Sequence, residues 1–358
     1  MYIESITLKN YRNYITAQIN PCPGVTVFTG DNAQGKTNIL EAVYLCCTGR
    51  SHRTSHDKEL IRSGEDLAYV HISGRRKDGP HDVEIGLTRL DKRKIKVGGT
   101  QISRSGELLG HITGVLFAPE DLRTVKDGPA ERRRFVDMEL SQLRPAYYFA
   151  LQRYNRALKQ RNALLKEHLI NNASLSTLDM WDEQLAQSGT EIMTMRADFV
   201  EKLAQKAKEI HSDVSDGRES LAIAYEPDAR ESLRDALVKC RDNDIKRAQT
   251  GAGPHRDDVS LKVNGMDVRA YGSQGQVRTC ALSLKLSEIE IMKQESGEAP
   301  VLMLDDVMSE LDPGRRRLLI SRLEGVQTFV TCTDREDLAG AEIGRLFTVK
   351  NAVLTEVN

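Results

Sequence analysis

A glycine-rich motif constrains the fold of this chain more than any other part of its 358 residues. Residues 30–37 read GDNAQGKT and match G-x-x-x-x-G-K-[ST] at every fixed position. An apolar run, VTVF at residues 25–28, comes before the motif, and a helix-like stretch, NILEAVYL at residues 38–45, follows it. A strand, a glycine loop and a helix in this order predict a phosphate-binding loop in an α/β fold.

The residue types in the motif explain how it would hold a nucleotide. Glycines let backbone N–H groups curl around phosphate oxygens, and the helix N-terminus adds a positive dipole. We expect Lys36 to neutralise the β- and γ-phosphates of ATP and the Thr37 hydroxyl to coordinate Mg²⁺. The predicted nucleotide-binding residues of the motif are Gly30, Asp31, Asn32, Ala33, Gln34, Gly35, Lys36 and Thr37.

Two acidic residues follow a second apolar run near the end of the chain. VLML at residues 301–304 reads as a buried strand, and Asp305 and Asp306 come directly after it. Asp305 is predicted to hold Mg²⁺, directly or through water. Asp306 is predicted to orient or deprotonate the attacking water. Together with Lys36, these residues predict a catalytic site for ATP hydrolysis.

The middle of the chain has a different periodicity from its two ends. After Pro145, apolar residues recur every three or four positions, and the pattern resumes from Leu178 to Val214. NNAS at residues 171–174 reads as a turn between two helices. The pattern predicts an antiparallel helical hairpin, inserted at residues 126–247 into an α/β body built from residues 1–125 and 248–358.

Composition excludes several classes of protein. The net charge of −1, from 51 basic and 52 acidic residues, argues against a strongly basic nucleic-acid binder. No apolar run approaches the roughly 18 residues of a membrane helix, and no basic-then-apolar leader opens the sequence. The six cysteines have no metal-binding spacing. We expect a cytoplasmic protein with reduced thiols and no membrane partner.

Three further motifs distinguish the chain from a nucleotide kinase or a GTPase. YGSQGQ at residues 271–276 precedes an apolar helix and resembles the signature motif of ABC-type ATPases. SELD at residues 309–312 follows the two acids at the spacing of that family's D-loop. LKNYRNY at residues 8–14 looks like the opening strand of SMC-type heads. The resemblance implies an ABC-type P-loop ATPase head interrupted by a helical arm.

The same resemblance assigns roles to residues outside the phosphate loop. In ABC-type ATPases the signature motif contacts the γ-phosphate held by a partner subunit, which implies a composite site in an ATP-dependent head-to-tail homodimer. The residues that carry over are Ser273, Gly275 and Gln276 for the signature motif, and Arg12 and Asn13 as residues that approach the nucleotide.

Over the whole chain, the motifs are similar to those of the RecF family of bacterial recombination-mediator ATPases. SHRT at residues 51–54, FAPEDL at 117–122 and GPHRDD at 253–258 add to those already named. The resemblance implies DNA binding at single-strand gaps and junctions, recombinase loading and replication-fork recovery. It also implies RecR and RecO as partners and an association with the nucleoid.

Two positions depart from the wider ABC pattern. Asp306 stands where most ABC proteins carry Glu, and the usual switch His is missing from TCTD at residues 331–334, which offers Thr333 or Asp334. Both departures predict weak, slow hydrolysis. We also expect DNA to stimulate this hydrolysis and hydrolysis to drive release. For His255, Arg256, Asp257 and Asp258 the sequence gives no firm mechanism, and we expect a loop that supports the nucleotide site or the dimer interface.

Basic side chains cluster locally despite the neutral total. Residues 89–104 carry six basic side chains against Asp91 alone, and residues 131–170 carry nine against four acidic ones. No base-reading helix or aromatic platform is present, so we expect sequence-independent contact with the backbone of double-stranded DNA. The candidates are Arg50, Arg53, Lys92, Arg93, Lys94, Arg153 and Arg156.

Two alternative functions remain open from the sequence. One is an SMC-like structural head that joins DNA or partner proteins, although about a hundred inserted residues are too few for a long coiled coil. The other is a P-loop enzyme that phosphorylates a small molecule, although the sequence offers no recognisable acceptor site.

Overall fold

The computed structural model describes residues 1–357, and it divides the chain into two compact units. Unit 1 combines residues 1–121 with the chain from Lys285 onward, and unit 2 comprises residues 122–284. The predicted α/β architecture is confirmed, because both ends of the chain contribute strands to the sheets of unit 1. The predicted helical insertion is also confirmed, because helices dominate unit 2.

Unit 1 contains two six-stranded sheets. One sheet is antiparallel, with the order β2-β1-β4-β5-β6-β7; the other has the order β15-β14-β3-β13-β12-β8, in which only β15 is antiparallel to its neighbour. The strands are β1 (Tyr2–Tyr11), β2 (Tyr14–Ile19), β3 (Val25–Thr29), β4 (Leu67–Arg76), β5 (Gly79–Thr88), β6 (Lys94–Val97), β7 (Thr100–Ile102), β8 (Gly114–Phe117), β12 (Val301–Asp305), β13 (Thr328–Cys332), β14 (Ile343–Lys350) and β15 (Val353–Glu356).

Helix α1 (Lys36–Thr48) packs into the apolar core of unit 1. Side chains from both sheets and from α1, such as Ile6, Ile39 and Phe329, belong to one buried cluster. The helix is buried on nearly all sides, which explains why its sequence is apolar almost throughout rather than along a single stripe. This burial fixes the helix that begins at the phosphate loop. Helix α9 (Pro313–Ser321) also belongs to unit 1.

Unit 2 is built around the predicted helical hairpin. Helix α4 (Pro145–Asn171) has 27 residues and helix α5 (Leu178–Val214) has 37, so they extend over about 40 and 55 Å. Asn172 ends α4 in the left-handed conformation, and its N–H donates to the carbonyl oxygen of His168. The elements of unit 2 are α2 (Leu122–Lys126), α3 (Pro129–Leu143), α4 (Pro145–Asn171), α5 (Leu178–Val214), β9 (Leu221–Glu226), α6 (Leu233–Arg247), β10 (Asp258–Val263), β11 (Met266–Asp267) and α7 (Val268–Tyr271), together with the first half of α8 (Gln274–Ser296).

The second boundary of the insertion lies later than predicted. The sequence pattern placed it between residues 247 and 248, whereas the structure places it between Leu284 and Lys285. The cause is β9, a strand inside the segment expected to be helical, which pairs along its length with β10. This pairing joins residues 258–263 to the helices of unit 2, so the insertion carries a small three-stranded sheet.

Among residues 1–357, no helix combines the length and the apolar character needed to cross a membrane. In the same part of the chain, no group of three or more His, Cys, Asp or Glu side chains is arranged to hold a metal ion. All six cysteines are free.

A buried arginine connects three helices of unit 2. Arg161 on α4 is 0% exposed, and its Nε donates to Oδ1 of Asp182 on α5 at 2.6 Å. Its Nη1 donates to Oδ2 of Asp244 on α6 at 2.8 Å and to Oγ1 of Thr250 at 3.0 Å. Removing the guanidinium leaves the buried Asp244 without its counter-ion and Asp182 with Arg241 as its remaining one, which costs much more than losing an exposed ion pair.

We predict that Arg161→Ala lowers the free energy of unfolding by about 3–5 kcal/mol, measured by urea denaturation. The matched control is Arg153→Ala on the same helix, because the exposed Arg153 pairs with Glu191 on α5 at 2.5 Å. An exposed pair contributes about 1 kcal/mol or less. Equal losses in the two variants would contradict the prediction.

Candidate nucleotide-binding site

The phosphate-binding loop adopts backbone conformations that explain its glycines. Gly30 and Gly35 have φ values of 150° and 114°, which side chains rarely adopt. A Cβ atom on Gly35 would also lie 2.7 Å from Nδ2 of Asn13 and 3.1 Å from Oη of Tyr14. Glycine is therefore required at the position that caps helix α1.

Lys36 is directed into the loop. Its side chain is buried, and Nζ donates to the carbonyl oxygens of Gly30 and, at 3.1 Å, of Asp31. Phosphate oxygens are stronger partners for an ammonium group than neutral carbonyls, so a bound triphosphate is expected to replace these contacts. Asn32 and Ala33, at the tip of the loop, are exposed.

Thr37, Asp305 and Thr331 meet where three strands end. Strands β3, β13 and β12 are parallel neighbours, so their carboxyl ends lie at one edge of the sheet. Thr37 Oγ1 donates to Oδ1 of Asp305 at 2.9 Å, and Thr331 Oγ1 donates to the same oxygen at 2.7 Å. Hydroxyl and carboxylate oxygens suit Mg²⁺, so Thr37 and Asp305 fit the predicted metal. Mg²⁺ there would neutralise charge on the β- and γ-phosphates.

Asp306 has a distinct backbone and a distinct environment. Its φ of 54° lies in the left-handed region, and its N–H donates to Oγ1 of Thr331 at 2.9 Å. Burial raises the pKa of the Asp306 carboxyl, Lys36 opposes this shift, and the charges of Asp305 and Asp337 add to it. A carboxylate whose pKa is raised is a stronger base when ionised, which suits the predicted activation of water.

The D-loop follows Asp306 directly. Ser309 Oγ donates to the carbonyl oxygen of Asp306 at 2.9 Å, so the loop is tied to the predicted base. Asp312 caps helix α9, where its side chain accepts from the N–H groups of Gly314 and Arg315. Asp312 therefore fixes where the D-loop ends and α9 begins.

The two candidates for the missing switch residue follow β13. Thr333 and Asp334 are both exposed. The carbonyl oxygen of Thr333 accepts from Thr29 Oγ1 at 3.5 Å, and the Asp334 side chain accepts from the N–H of Glu336 at 3.0 Å. Thr331, two residues earlier and fully buried, makes the contacts to both acids of the site. Sequence reasoning did not assign Thr331 a role.

The signature-like motif lies in unit 2, at the start of α8. The N–H of Ser273 donates to Oε1 of Gln276 at 2.9 Å, and the N–H of Gln276 donates to Oγ of Ser273 at 3.2 Å. This reciprocal pair is a capping box, which holds the first turn of the helix. Ser273 is exposed and Gly275 is half-buried. The motif is therefore a rigid helix start that presents a serine to solvent.

Arg12 and Asn13 have different neighbours. Arg12 is half-buried and binds Glu41 of α1 through two hydrogen bonds, of 2.7 Å from Nε and 2.6 Å from Nη2. Burial would raise the pKa of Glu41, but hydrogen bonds from Arg12 and Ser51 hold that pKa below its ordinary value. Asn13 Nδ2 donates to the carbonyl oxygen of Gln34 at 3.1 Å. Asn13 thus contacts the phosphate loop, whereas Arg12 contacts the helix behind it.

The DNA-binding candidates are divided between the two units. In unit 1, Arg50, Arg53, Lys92 and Lys94 are exposed, and Arg93 forms an ion pair of 3.5 Å with Asp57. This pair connects the residues before β6 to the segment that contains Arg50 and Arg53. Arg153 and Arg156 are exposed on α4 of unit 2, where Arg153 pairs with Glu191.

The GPHRDD segment is part of the interior of unit 2. His255 Nδ1 lies 2.6 Å from Oη of Tyr154, and burial lowers the pKa of this histidine. Asp257 accepts from Nη1 of Arg196 at 3.0 Å, and Asp258 binds Arg132 through two hydrogen bonds. These contacts join the segment to α3, α4 and α5, which gives it a structural role.

We predict that Thr331→Val slows ATP hydrolysis by about 10–100-fold, as the loss of a group that orients a metal ligand typically does. Thr331→Ser is the matched control, because it keeps the hydroxyl group that contacts Asp305 and Asp306. Steady-state hydrolysis measures the rates, and binding of a fluorescent ATP analogue without Mg²⁺ measures nucleotide affinity, which we expect to stay within about twofold. Equal rates for the valine and serine variants would contradict the assignment.

Comparisons with known proteins agree over the length of the chain. A family model described as an AAA domain matches residues 5–240. DNA replication and repair protein RecF of Alkaliphilus oremlandii is 44% identical over 349 residues, which cover 94% of this chain and 95% of that protein. RecF of Clostridium perfringens is 42% identical over 359 residues, which cover 98% and 99%.

Solved structures agree with the sequence relatives. A structure of the recombination mediator protein RecF-ATPrS in the RecFOR pathway matches with a TM-score of 0.93 and 38% identity, covering 100% of this chain and 98% of that one. An Smc head domain of Pyrococcus furiosus, 18% identical with a TM-score of 0.60 over 99% and 96% of the two chains, shares the fold. The chain has the fold of an ABC-type ATPase head and belongs to the RecF family of DNA replication and repair proteins.

Proposed function

We propose that this protein is an ATP-dependent, DNA-binding recombination mediator. In this account it dimerises on ATP, binds DNA at single-strand gaps and junctions, and assists recombinase loading and replication-fork recovery. Slow hydrolysis of ATP then drives release. RecR and RecO are the partners that the family relationship suggests, and the compartment we propose is the cytoplasm, in association with the nucleoid.

The geometry of the phosphate loop supports ATP as the ligand. Lys36, Thr37 and Asp305 lie in unit 1 in the arrangement that a Mg²⁺-bound triphosphate needs. A relative with 38% identity has been solved as a RecF-ATPrS structure. The replacement of Glu by Asp306, one methylene shorter, together with the exposed positions of Thr333 and Asp334, supports weak hydrolysis.

One observation carries the proposal of a composite site: Ser273 is exposed at the start of a rigid helix. Its unit is separate from the one that holds the phosphate loop. An exposed serine at a helix N-terminus suits an incoming phosphate, because its hydroxyl oxygen is held by the N–H of Gln276 while the hydroxyl proton can still be donated. We therefore expect Ser273 of one copy to contact the nucleotide held by Lys36 of the other.

We predict that ATP converts the wild-type protein from a monomer to a dimer in sedimentation-velocity experiments. Lys36→Met should prevent this change by removing the charge that meets the phosphates, and Ser273→Arg should prevent it by blocking the interface. Thr355→Arg on β15, a surface strand residue outside both motifs, is the control for adding an arginine. ATP-dependent association that persists in both motif variants would contradict the composite site.

The basic residues of unit 1 support a DNA surface. The ion pair between Arg93 and Asp57 joins the basic stretch of residues 89–104 to the segment that contains Arg50 and Arg53, so Arg50, Lys92 and Lys94 belong to neighbouring segments of one unit. Contacts to phosphates carry no sequence information, which suits a protein that recognises DNA structure. Such contacts release counter-ions, so affinity should fall steeply with salt.

We predict that the double charge reversal Arg93→Glu and Lys94→Glu weakens binding to a gapped duplex at least tenfold. The slope of log affinity against log salt should fall by about 2, one for each lost phosphate contact. The control is the double reversal Arg218→Glu and Lys239→Glu, at exposed ion pairs of unit 2 outside the basic clusters. Fluorescence anisotropy measures both quantities. Unchanged affinity and an unchanged slope in the Arg93 and Lys94 variant would contradict the assignment of this surface to DNA binding.

A further inference from the structure

The last β-hairpin of the chain lies against the phosphate loop. Strand β14 pairs in parallel with β3, and Thr348 lies beside Thr29 at the end of that pairing. One residue further on, the two chains are so close that a Cβ atom on Gly30 would overlap the carbonyl oxygen of Val349. The sheet therefore carries the end of β14 alongside the loop that is expected to hold the phosphates.

The turn between β14 and β15 has an unusual backbone. It consists of Asn351 and Ala352, because Lys350 and Val353 pair with each other on either side of it. The two φ values are 50° and 58°, both left-handed, as in a type I′ hairpin turn. Alanine rarely adopts this conformation, which glycine adopts readily. Such a conformation persists only where surrounding contacts hold it.

Both residues of the turn donate to Gln34 of the phosphate loop. The N–H of Asn351 donates to Oε1 of Gln34 at 2.6 Å. The N–H of Ala352 donates to the carbonyl oxygen of Gln34 at 3.1 Å. The same carbonyl oxygen accepts from Nδ2 of Asn13, also at 3.1 Å. Two donors from opposite ends of the sequence therefore hold one carbonyl group of the loop.

A held carbonyl group sets the direction of the N–H group that follows it. In a trans peptide the C=O and the next N–H point in opposite directions, and the peptide between Gln34 and Gly35 is trans. The N–H of Gly35 is therefore directed away from the turn. The carbonyl oxygen of Gly35 accepts from Oη of Tyr14 at 3.2 Å, which orients the N–H of Lys36 by the same geometry. Backbone N–H groups of this kind are the donors that bind phosphate oxygens.

We propose that the turn of Asn351 and Ala352 is a positioning element for ATP, which holds the Gln34 carbonyl so that the N–H of Gly35 is aligned for a phosphate oxygen before the nucleotide binds. A donor that is already aligned raises affinity, because binding does not have to order it. The inference rests on the proposed function, since it takes ATP as the ligand of the loop. Asn351 and Ala352 act through Gln34, without touching the nucleotide.

Replacing the turn by Pro-Gly tests this role. The double variant Asn351→Pro and Ala352→Gly loses the N–H at residue 351, and Pro-Gly favours a turn whose twist does not match that of a hairpin. We expect the dissociation constant of a fluorescent ATP analogue to rise about fivefold or more, as the loss of one or two hydrogen bonds implies. Parent and variants all carry Ser273→Arg, and sedimentation verifies that they are monomers, so dimerisation does not contribute.

Two controls separate positioning from a general effect of the substitutions. Ala352→Gly alone keeps both N–H groups and gives Asn-Gly, which suits a type I′ turn, so its affinity should stay within about twofold of the parent's. Asn264→Pro makes the same Pro-Gly pair in the turn between β10 and β11 of unit 2, where Asn264 and Gly265 also have positive φ values. It should leave the affinity for the analogue unchanged.

Gln34→Met shows whether the turn acts through Gln34, because it keeps the length of the side chain and removes the oxygen that accepts from Asn351. This variant should weaken binding by itself, but should weaken it no further when combined with the Pro-Gly turn, whose N–H is already missing. It also decides the matter alone if the Pro-Gly variant does not fold. Unchanged affinity in either variant, or losses that add in the combination, would overturn the inference. A parent that binds no ATP analogue would instead overturn the proposed function.

Discussion

The parallel pairing of β3, β13 and β12 is the constraint on which the nucleotide site depends. Because β13 lies between the other two strands, Thr331 pairs in register with Asp305 and with Phe28. This register brings the phosphate loop that follows β3 and the acids that end β12 to one edge of the sheet. Residues about 270 positions apart in sequence thereby meet at hydrogen-bond distance, as Thr37 and Asp305 do. A shift of β13 by one residue would turn the Thr331 hydroxyl away from both acids.

Buried ion pairs hold the elements of unit 2 together, whereas buried parallel strands form the centre of unit 1. Arg161 and Arg196 each connect several elements through short hydrogen bonds to acids, and both are almost completely buried. Such groups tolerate few alternative packings, because any arrangement that separates the charges leaves one of them unpaired. An ordered helical insertion follows. The signature-like start of α8 is held separately, by the reciprocal bonds between Ser273 and Gln276, which suits its proposed contact with a nucleotide bound by another copy.

The sequence predicts the parts of this protein that depend on local patterns. The phosphate loop, the two acids, the hairpin of α4 and α5 and its turn at Asn172 all follow from spacing, periodicity and residue type. The strand β9 was missed because its pairing partner β10 lies more than thirty residues away. Thr331 was missed because its role comes from the register of a sheet. Glu41 reads as an ordinary polar residue of α1, and its buried contacts with Arg12 and Ser51 appear only once the chain is folded.

In the proposed function, a complete ATPase site forms only between two copies of the chain. Mixing Lys36→Met protein with Ser273→Arg protein tests it directly, since a mixed dimer contains one site with an intact phosphate loop and an intact signature motif. Each variant alone should lack activity, and an equal mixture should recover up to about a quarter of the wild-type rate of ATP hydrolysis, because half of the dimers carry one working site of two. A mixture no more active than its separate components would contradict the account.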